Sequence, residues 1–280
     1  MIYDFHDFIT RALAEDVGDG DHTSLACIPS HSTVKAQLLA KENGIIAGVE
    51  IAKKIFRIID KKISVKIFFY DGNKIKKGDV IIEVKGNTQS ILKVERLVLN
   101  CIQRMSGIAT YTNSLVNKLE GLNTRILDTR KTTPNFRFIE KLAVKIGGGE
   151  NHRFGLYDMI LIKDNHIDCA GGIRKAIDSA KKYLKQKNKK TKIEIEARNI
   201  FEVKEILAVG GVHRIMLDNF SINDLKNAVK LINKKYETEA SGGITEKNIR
   251  TIAETGVDYI SVGALTHHIK SIDLSLKAVK

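Results

Sequence analysis

The chain has 280 residues, 43% hydrophobic and 28% charged, enough to bury the core of one large domain or two modest ones. Its net charge of +13 is carried mostly by lysine and is densest in KKYLKQKNKKTK, Lys181 to Lys192, which reads as the solvated tail of a helix and the loop after it. Tryptophan is absent, no helix-turn-helix, zinc-finger or stacking pattern accompanies the basic runs, and no apolar run approaches the roughly 18 residues that span a bilayer, so neither nucleic acid nor a membrane is an expected partner.

An amphipathic helix opens the chain (Phe5, Phe8, Ile9, Ala12, Leu13) and leads into the turn-rich DVGDGDHTS. Short strands are expected at Val34–Ala40, Ile63–Tyr70 and Val80–Val84, with a helix over Ile51–Ile59 and DGNKIKKGD as a turn. This is an α+β pattern, helices set against antiparallel strands. A long helix follows from about Ser90 to Leu119, its apolar positions stepping by three or four, with Gly107 marking a bend and Arg96 and Arg104 on other faces. It is the natural bridge between two domains.

Beyond Asn123 the rhythm becomes strand, loop, helix. Strands are expected at Arg125–Leu127, Met159–Ile162, Ile193–Glu196, Arg214–Leu217, Glu237–Ala240 and Tyr259–Val262, with helices at Phe136–Ile146, Gly172–Leu184, Phe201–Val209, Ile222–Asn233 and Glu246–Glu254. The strand ends near Glu196, Asp218, Ala240 and Gly263 recur at about 22 residues, a length common in β/α-barrel units. Six such strands make an open, incomplete β/α barrel. In KIEIEA and YETEAS glutamates alternate with apolar or small residues, which puts an acidic face inside the barrel. The deeper Glu194 and Glu237 are candidates for internal pairing with a basic residue such as Arg125. Glu196 stands where its strand ends and the active face begins.

Catalytic groups of β/α barrels sit at the carboxyl ends of strands. Here those ends read Asp128-Thr129-Arg130-Lys131, Lys163-Asp164-Asn165-His166, Glu196, Asp218-Asn219, Ser241-Gly242-Gly243 and Gly263, all polar or glycine. Arg130, Lys131, His152, Arg153, Lys163 and His166 lie close in sequence, and converging cations repel unless an anion sits among them. The arginines suit bidentate grip of a carboxylate or phosphate. Ser241, Gly242 and Gly243 are expected to bring backbone N–H groups to the start of a helix facing a phosphate, with Gly263 as a second close approach. Gly147-Gly148-Gly149 follows a helix and not a strand, so it reads as a helix stop, and no G-x-G-x-x-G motif exists. His267-His268 are adjacent, a poor spacing for a shared metal, and read as surface or supporting residues. Cys27, Cys101 and Cys169 are odd in number and lack C-x-x-C spacing, which fits a reducing cytosol. The acidic residues of MIYDFHDFITRALAEDVG stand where a signal peptide has its apolar core, so a cytoplasmic setting is expected.

In order along the chain, ALAEDVGDGDHTS, LNCIQRMSGIAT, DTRKTTP, EKLAVKIGGGENHRFGLYDMILIKDNH, IEIEA, IMLDN, EASGGI and VDYISVGALTH resemble the quinolinate phosphoribosyltransferase family, also called nicotinate-nucleotide pyrophosphorylase (carboxylating), over about Leu13 to His267. The resemblance implies an amino-terminal α/β sandwich domain over residues 1–107, on which a tail of about 270–280 packs back, and an open β/α barrel of six to seven strands over 108–269. It implies transfer of phosphoribosyl from 5-phosphoribosyl 1-pyrophosphate to quinolinate with Mg2+, giving nicotinate mononucleotide, pyrophosphate and CO2, the entry of quinolinate into NAD synthesis. It implies a homodimer, or a higher assembly such as a hexamer, with the active site at the interface. By the family pattern Arg130, His152, Arg153 and Lys163 bind quinolinate, and Arg104 reaches in from the partner subunit. Lys131 and Lys163 neutralise phosphates; Glu196 and Asp218 hold ribose hydroxyls and Mg2+; Ser241, Gly242, Gly243 and Gly263 hold the 5-phosphate. Lys131, Lys163, Glu196 and Asp218 are the catalytic set.

Two departures stand out, Asn135 where the family has glycine after the proline and Lys145 where arginine is common. The alternative reading is a related paralogue of molybdate-uptake systems with another substrate. It would share the phosphate end, so the DTRKT, NHR and KDNH motifs weigh against it. A barrel aldolase or isomerase using Lys163 as a Schiff base is a further class, disfavoured by the surrounding cations.

Overall fold

The structure, a computed structural model, describes residues 5–279, so the expected domain bounds at residues 1 and 280 lie outside the described residues. The chain opens with α1 (Phe5–Val17) and α2 (His22–Cys27), the latter capped by Asp21, which accepts the Ser24 N–H at 3.1 Å. That cap makes a helical turn of a stretch whose composition reads as loop. Then come β1 (Thr33–Ala40), β2 (Gly44–Ile45), α3 (Val49–Ile59), β3 (Ser64–Ile67), β4 (Lys74–Ile75) and β5 (Val80–Asn87). The long helix α4 (Thr88–Lys118) runs unbroken through Gly107. This glycine answers to a close approach and not to a bend, because a Cβ there would lie 2.3 Å from the Lys270 carbonyl oxygen.

Next are β6 (Arg125–Leu127), α5 (Arg137–Ile146), β7 (Ile160–Ile162), α6 (Asp164–Ala170), α7 (Ile173–Gln186) and β8 (Ile193–Ala197). The order is completed by α8 (Ile200–Val209), β9 (Arg214–Asp218), α9 (Ile222–Ile232), β10 (Glu237–Ser241), α10 (Ile249–Ala253), β11 (Tyr259–Ser261), α11 (Ala264–His267) and β12 (Leu274–Val279). Asn199 and Ser221 cap α8 and α9 by accepting the N–H groups of Glu202 and Asp224. No helix among the described residues is long and apolar enough to cross a membrane.

The chain forms two compact units. The first runs up to Asn113 and adds Thr132–Gly148 and the chain from His268; the second comprises Ser114–Lys131 and Gly149–His267. The expected barrel span of 108–269 is therefore interrupted, since α5 belongs to the first unit. Gly147 at its end packs so tightly on α4 that a Cβ would lie 2.5 Å from the Ala109 carbonyl oxygen, and Phe136 meets Phe8 at 5.7 Å between ring centres.

In the first unit four antiparallel strands pair in the order β12, β1, β5, β3. Leu38 faces Ile82 on one neighbour and Leu276 on the other, so the carboxyl-terminal segment supplies an edge strand. Leu38, Ile82, Phe56, Val94 and Ile102 are fully buried, each contributing about 1.5–3 kcal/mol of burial free energy.

The second unit holds a six-stranded, wholly parallel sheet in the order β6, β11, β10, β9, β8, β7. Its two edges, β6 and β7, do not pair, so the barrel is open. Ile126, Ile195, Ile215, Leu217 and Ile260 bury the sheet, while Val203, Ile206, Leu225 and Ala228 bury the inner faces of α8 and α9. In-register pairing brings Glu196 beside Met216 and Asp218 beside Ser241, so the carboxyl ends of the strands share one rim.

Candidate active site

That rim encloses a cavity of about 820 Å³, lined at one side by Arg130, Lys131, His152, Arg153 and Lys163 and at the other by Glu196, Asp218, Ser241, Gly242, Gly243 and Gly263. Eleven residues singled out from sequence thus meet in one concave space. The twelfth, Arg104, belongs to the first unit. There its Nε donates to the fully buried Glu140 at 2.9 Å, and Glu140 also accepts the N–H and hydroxyl of Thr133. His166 does not line the cavity. Its Nδ1 accepts the Lys163 N–H at 2.9 Å and so starts α6, a helix not expected from the sequence.

The cationic wall stands on a loop whose backbone donors are consumed one by one by side chains. Asp128, fully buried at the end of β6, accepts the His152 N–H at 2.9 Å and the Asn151 amide at 2.5 Å. The Arg153 N–H donates to His152 Nδ1 at 2.7 Å, and the Phe154 and Gly155 N–H groups donate to Asp158. These bonds hold the irregular backbone in place. Arg153 is buried, and burial together with the Arg130 charge lowers its pKa, so the two guanidinium groups crowd each other. An anion between them relieves that repulsion. Lys131 is anchored through its backbone, its carbonyl accepting the Thr266 hydroxyl at 2.8 Å.

On the acidic side, burial and the nearby Asp218 raise the pKa of Glu196, while Lys163 pulls it down. Asp218 accepts the Asn219 amide at 2.6 Å. Asn219 adopts a left-handed φ of 56°, and its amide oxygen fills the place of any Gly242 side chain, where a Cβ would lie 2.1 Å away. Gly242, itself at φ +90°, must therefore be glycine. The loop after Ser241 differs from expectation: Gly242 to Asn248 intervene before α10, which has five residues. Asn248 holds this loop by accepting the Thr245 N–H and donating to the Gly243 carbonyl. Any anion here would meet loop N–H groups, not a helix dipole.

Beneath the cationic wall the inward glutamates find partners other than Arg125. Arg214 stands in register with Glu194 and Glu237, and its guanidinium pairs with Glu237 at 3.1 Å and Glu239 at 2.9 Å. Glu194 pairs instead with His152, Nε2 to Oε2 2.9 Å, and Glu239 Oε2 is 3.4 Å from the same nitrogen. Arg125 turns to Glu150 at 2.9 Å and to the Tyr259 hydroxyl. Burial and the Glu239 charge push Glu194 up to about 7. Burial opposes a charged His152 and the two carboxylates more than offset it, so its pKa is raised. A proton on Nδ1 would nonetheless face the Arg153 N–H. With Nδ1 accepting that N–H, a ring hydrogen belongs on Nε2, facing the two carboxyl groups. His152, Glu194 and Glu239 lie within reach of one another, and Arg214 at 2.9 Å supplies a cationic partner to Glu239. Glu239 and His267 also line the cavity and were not assigned to it from sequence. Counting back by two from Ser241 along β10 points to Glu239.

A model of the quinolinate phosphoribosyl transferase carboxyl-terminal domain matches residues 108–277, and one of the amino-terminal domain matches 21–106. The chain belongs to the quinolinate phosphoribosyltransferase family. A member from Arabidopsis thaliana, a chloroplastic nicotinate-nucleotide pyrophosphorylase (carboxylating), is 47% identical over 98% of this chain and 83% of its own. NadC from Streptococcus pyogenes superposes with a TM-score of 0.92 at 38% identity, covering 99% of this chain and 97% of that one. The nicotinate-nucleotide pyrophosphorylase from Francisella tularensis does so at 0.91 and 42%, covering 98% and 96%. The open barrel is thus the family's fold, and the Arabidopsis member carries the carboxylating pyrophosphorylase title.

Proposed function

We propose that this protein transfers the phosphoribosyl group of 5-phosphoribosyl 1-pyrophosphate to quinolinate with decarboxylation, giving nicotinate mononucleotide, pyrophosphate and CO2. The observation that carries the reading is the division of one cavity into a wall of crowded cations and a facing pair of carboxylates flanked by glycine loops. Arg130, Arg153 and Lys163, with His152 beside them, receive the two ring carboxylates, each charge-assisted hydrogen bond contributing about 1.5–3 kcal/mol. Lys131 and Lys163 neutralise phosphate oxygens, and the loops of Ser241–Gly243 and Gly263 receive the 5-phosphate. As pyrophosphate departs, positive charge develops on the ribose, where Glu196 and Asp218 stabilise it. The ring nitrogen attacks that carbon and becomes quaternary. Loss of the adjacent carboxylate as CO2 then leaves a carbanion stabilised by the charged nitrogen, which a proton quenches. The protein's part is chiefly alignment and neutralisation.

Magnesium fits the donor set, because Glu196 and Asp218 lie near enough for one charge to raise the other's pKa, and both present hard oxygen ligands. These two residues would hold the ion, which supplies neutralisation of the phosphate charge. The reading includes a cytoplasmic homodimer, with a hexamer as the larger form, in which Arg104 of one protomer serves the partner's cavity. Its support is the buried Glu140 that fixes Arg104 while leaving it partly exposed.

The test is an assay with quinolinate, 5-phosphoribosyl 1-pyrophosphate and Mg2+, following nicotinate mononucleotide; no product at high enzyme concentration overturns the reading. For the shared site, Arg104→Ala mixed with Arg153→Ala is expected to regain activity through hybrid dimers with one intact site. Failure of the two to complement would remove the interface role of Arg104.

A further inference from the structure

Glu194 has no place in the chemistry above, yet it is 1% exposed, and apart from its approach to His152 its carboxylate oxygens have no hydrogen-bond partner among the described residues. Burying an ion costs several kcal/mol unless something offsets it. Glu239 is fully buried beside it and is steadied by Arg214 at 2.9 Å. Both carboxylates converge on one atom, His152 Nε2, at 2.9 and 3.4 Å. An N–H shared between two acceptors lies in line with neither, but two carboxyl groups within reach of one ring nitrogen restrict the tilt of the ring.

What the ring does with its other nitrogen gives the arrangement a purpose. Nδ1 accepts the N–H of Arg153 at 2.7 Å, and Asp128 holds the His152 N–H at 2.9 Å. His152 is gripped at its backbone from β6 and at its ring from β8 and β10, and it passes that constraint to the next peptide. We propose that Glu194 and Glu239 are positioning residues for Arg153: by clamping the His152 ring they fix the peptide that aims the Arg153 guanidinium at its anion. The inference rests on the functional reading only in naming quinolinate as that anion. A quarter-turn of the ring would free the Arg153 N–H and let the guanidinium drift from Arg130, with which it must share the ligand.

The experiment compares Glu194→Gln, which keeps an acceptor of the same shape, with Glu194→Leu, which does not. In the leucine variant the KM for quinolinate is expected to rise about tenfold or more, with the KM for 5-phosphoribosyl 1-pyrophosphate unchanged; glutamine should restore it to within about threefold. An unchanged quinolinate KM in the leucine variant, an equal rise in both KM values, or a glutamine variant as impaired as leucine overturns the proposal. Two further measurements need neither substrate nor turnover. Nitrogen NMR of the wild-type imidazole should show hydrogen on Nε2 and a bare Nδ1. Exchange of the Arg153 amide hydrogen should be slow in wild type and glutamine variant, and about tenfold faster in the leucine variant if it folds. A ring protonated on Nδ1, or a rapidly exchanging Arg153 amide in the wild type, overturns the clamp. Wild-type enzyme that forms no nicotinate mononucleotide overturns the functional reading alone, and the NMR results still decide the clamp.

Discussion

The antiparallel sheet of the first unit and the parallel sheet of the second bury their side chains to different ends. Around β1 and β5 the interior is apolar, Leu38, Ile82 and Phe56 among its fully buried members. In the second unit the parallel strands carry Glu194, Arg214 and Glu239 inward, buried, and present Glu196, Asp218 and Ser241 at the rim. Parallel pairing points all six carboxyl ends the same way, so each strand delivers its next residue to one place. Antiparallel pairing scatters those ends to both edges of a sheet. The buried strand positions of the first unit are thus apolar, and those of the second include charge.

Phe56→Ala should lower the unfolding free energy by about 3–5 kcal/mol, measured by denaturant titration, while the folded fraction keeps its kcat; a loss of kcat at unchanged stability would erase the division of labour. Arg153→Ala should do the reverse. It should cut kcat/KM about 100-fold through lost charge-assisted bonds, yet leave the melting temperature unchanged or slightly higher, because burial and Arg130 already disfavour this cation. A marked fall in melting temperature would mean that Arg153 is structural.

A smaller effect is expected at the junction of loop and rim. Thr266→Val removes the hydroxyl that donates to the Lys131 carbonyl and should cost about 1 kcal/mol of stability, with a few-fold rise in the KM for 5-phosphoribosyl 1-pyrophosphate. An unchanged KM would show that Lys131 is held by something else. The smallest perturbation is chemical labelling. Burial pushes the Cys101 thiol up to about 12, whereas Cys27 and Cys169 are exposed. Iodoacetamide at neutral pH should modify two cysteines in the native protein and the third only on unfolding, read by mass spectrometry. Labelling of native Cys101 would show that the interior of the first unit opens readily.

Much of the site was legible because it sits at strand ends, where period-two alternation and a repeat of about 22 residues point to each position in turn. Arg130, Lys163, Glu196, Asp218 and Gly263 were found that way, and the structure lines one cavity with them. The α6 helix was not legible, since it depends on a single side chain, His166, accepting the Lys163 N–H. Nor was β12, whose residues become a strand only by pairing with β1, more than 230 positions away in sequence. Gly107 read as a bend because a glycine in a helix has several uses, and only the approach of Lys270 selects one.

Sequence alone established the class of the longer elements, the order of the motifs and the identity of the rim residues, because hydrophobic period and strand-end position are local properties. Only the tertiary structure decided the partners. Arg214 and not Arg125 took Glu237, His152 took Glu194, and α5 joined the first unit in spite of its place between barrel strands. Pairing among buried charges depends on register between strands and on which side chains reach across it, and neither is written in any one segment of the chain.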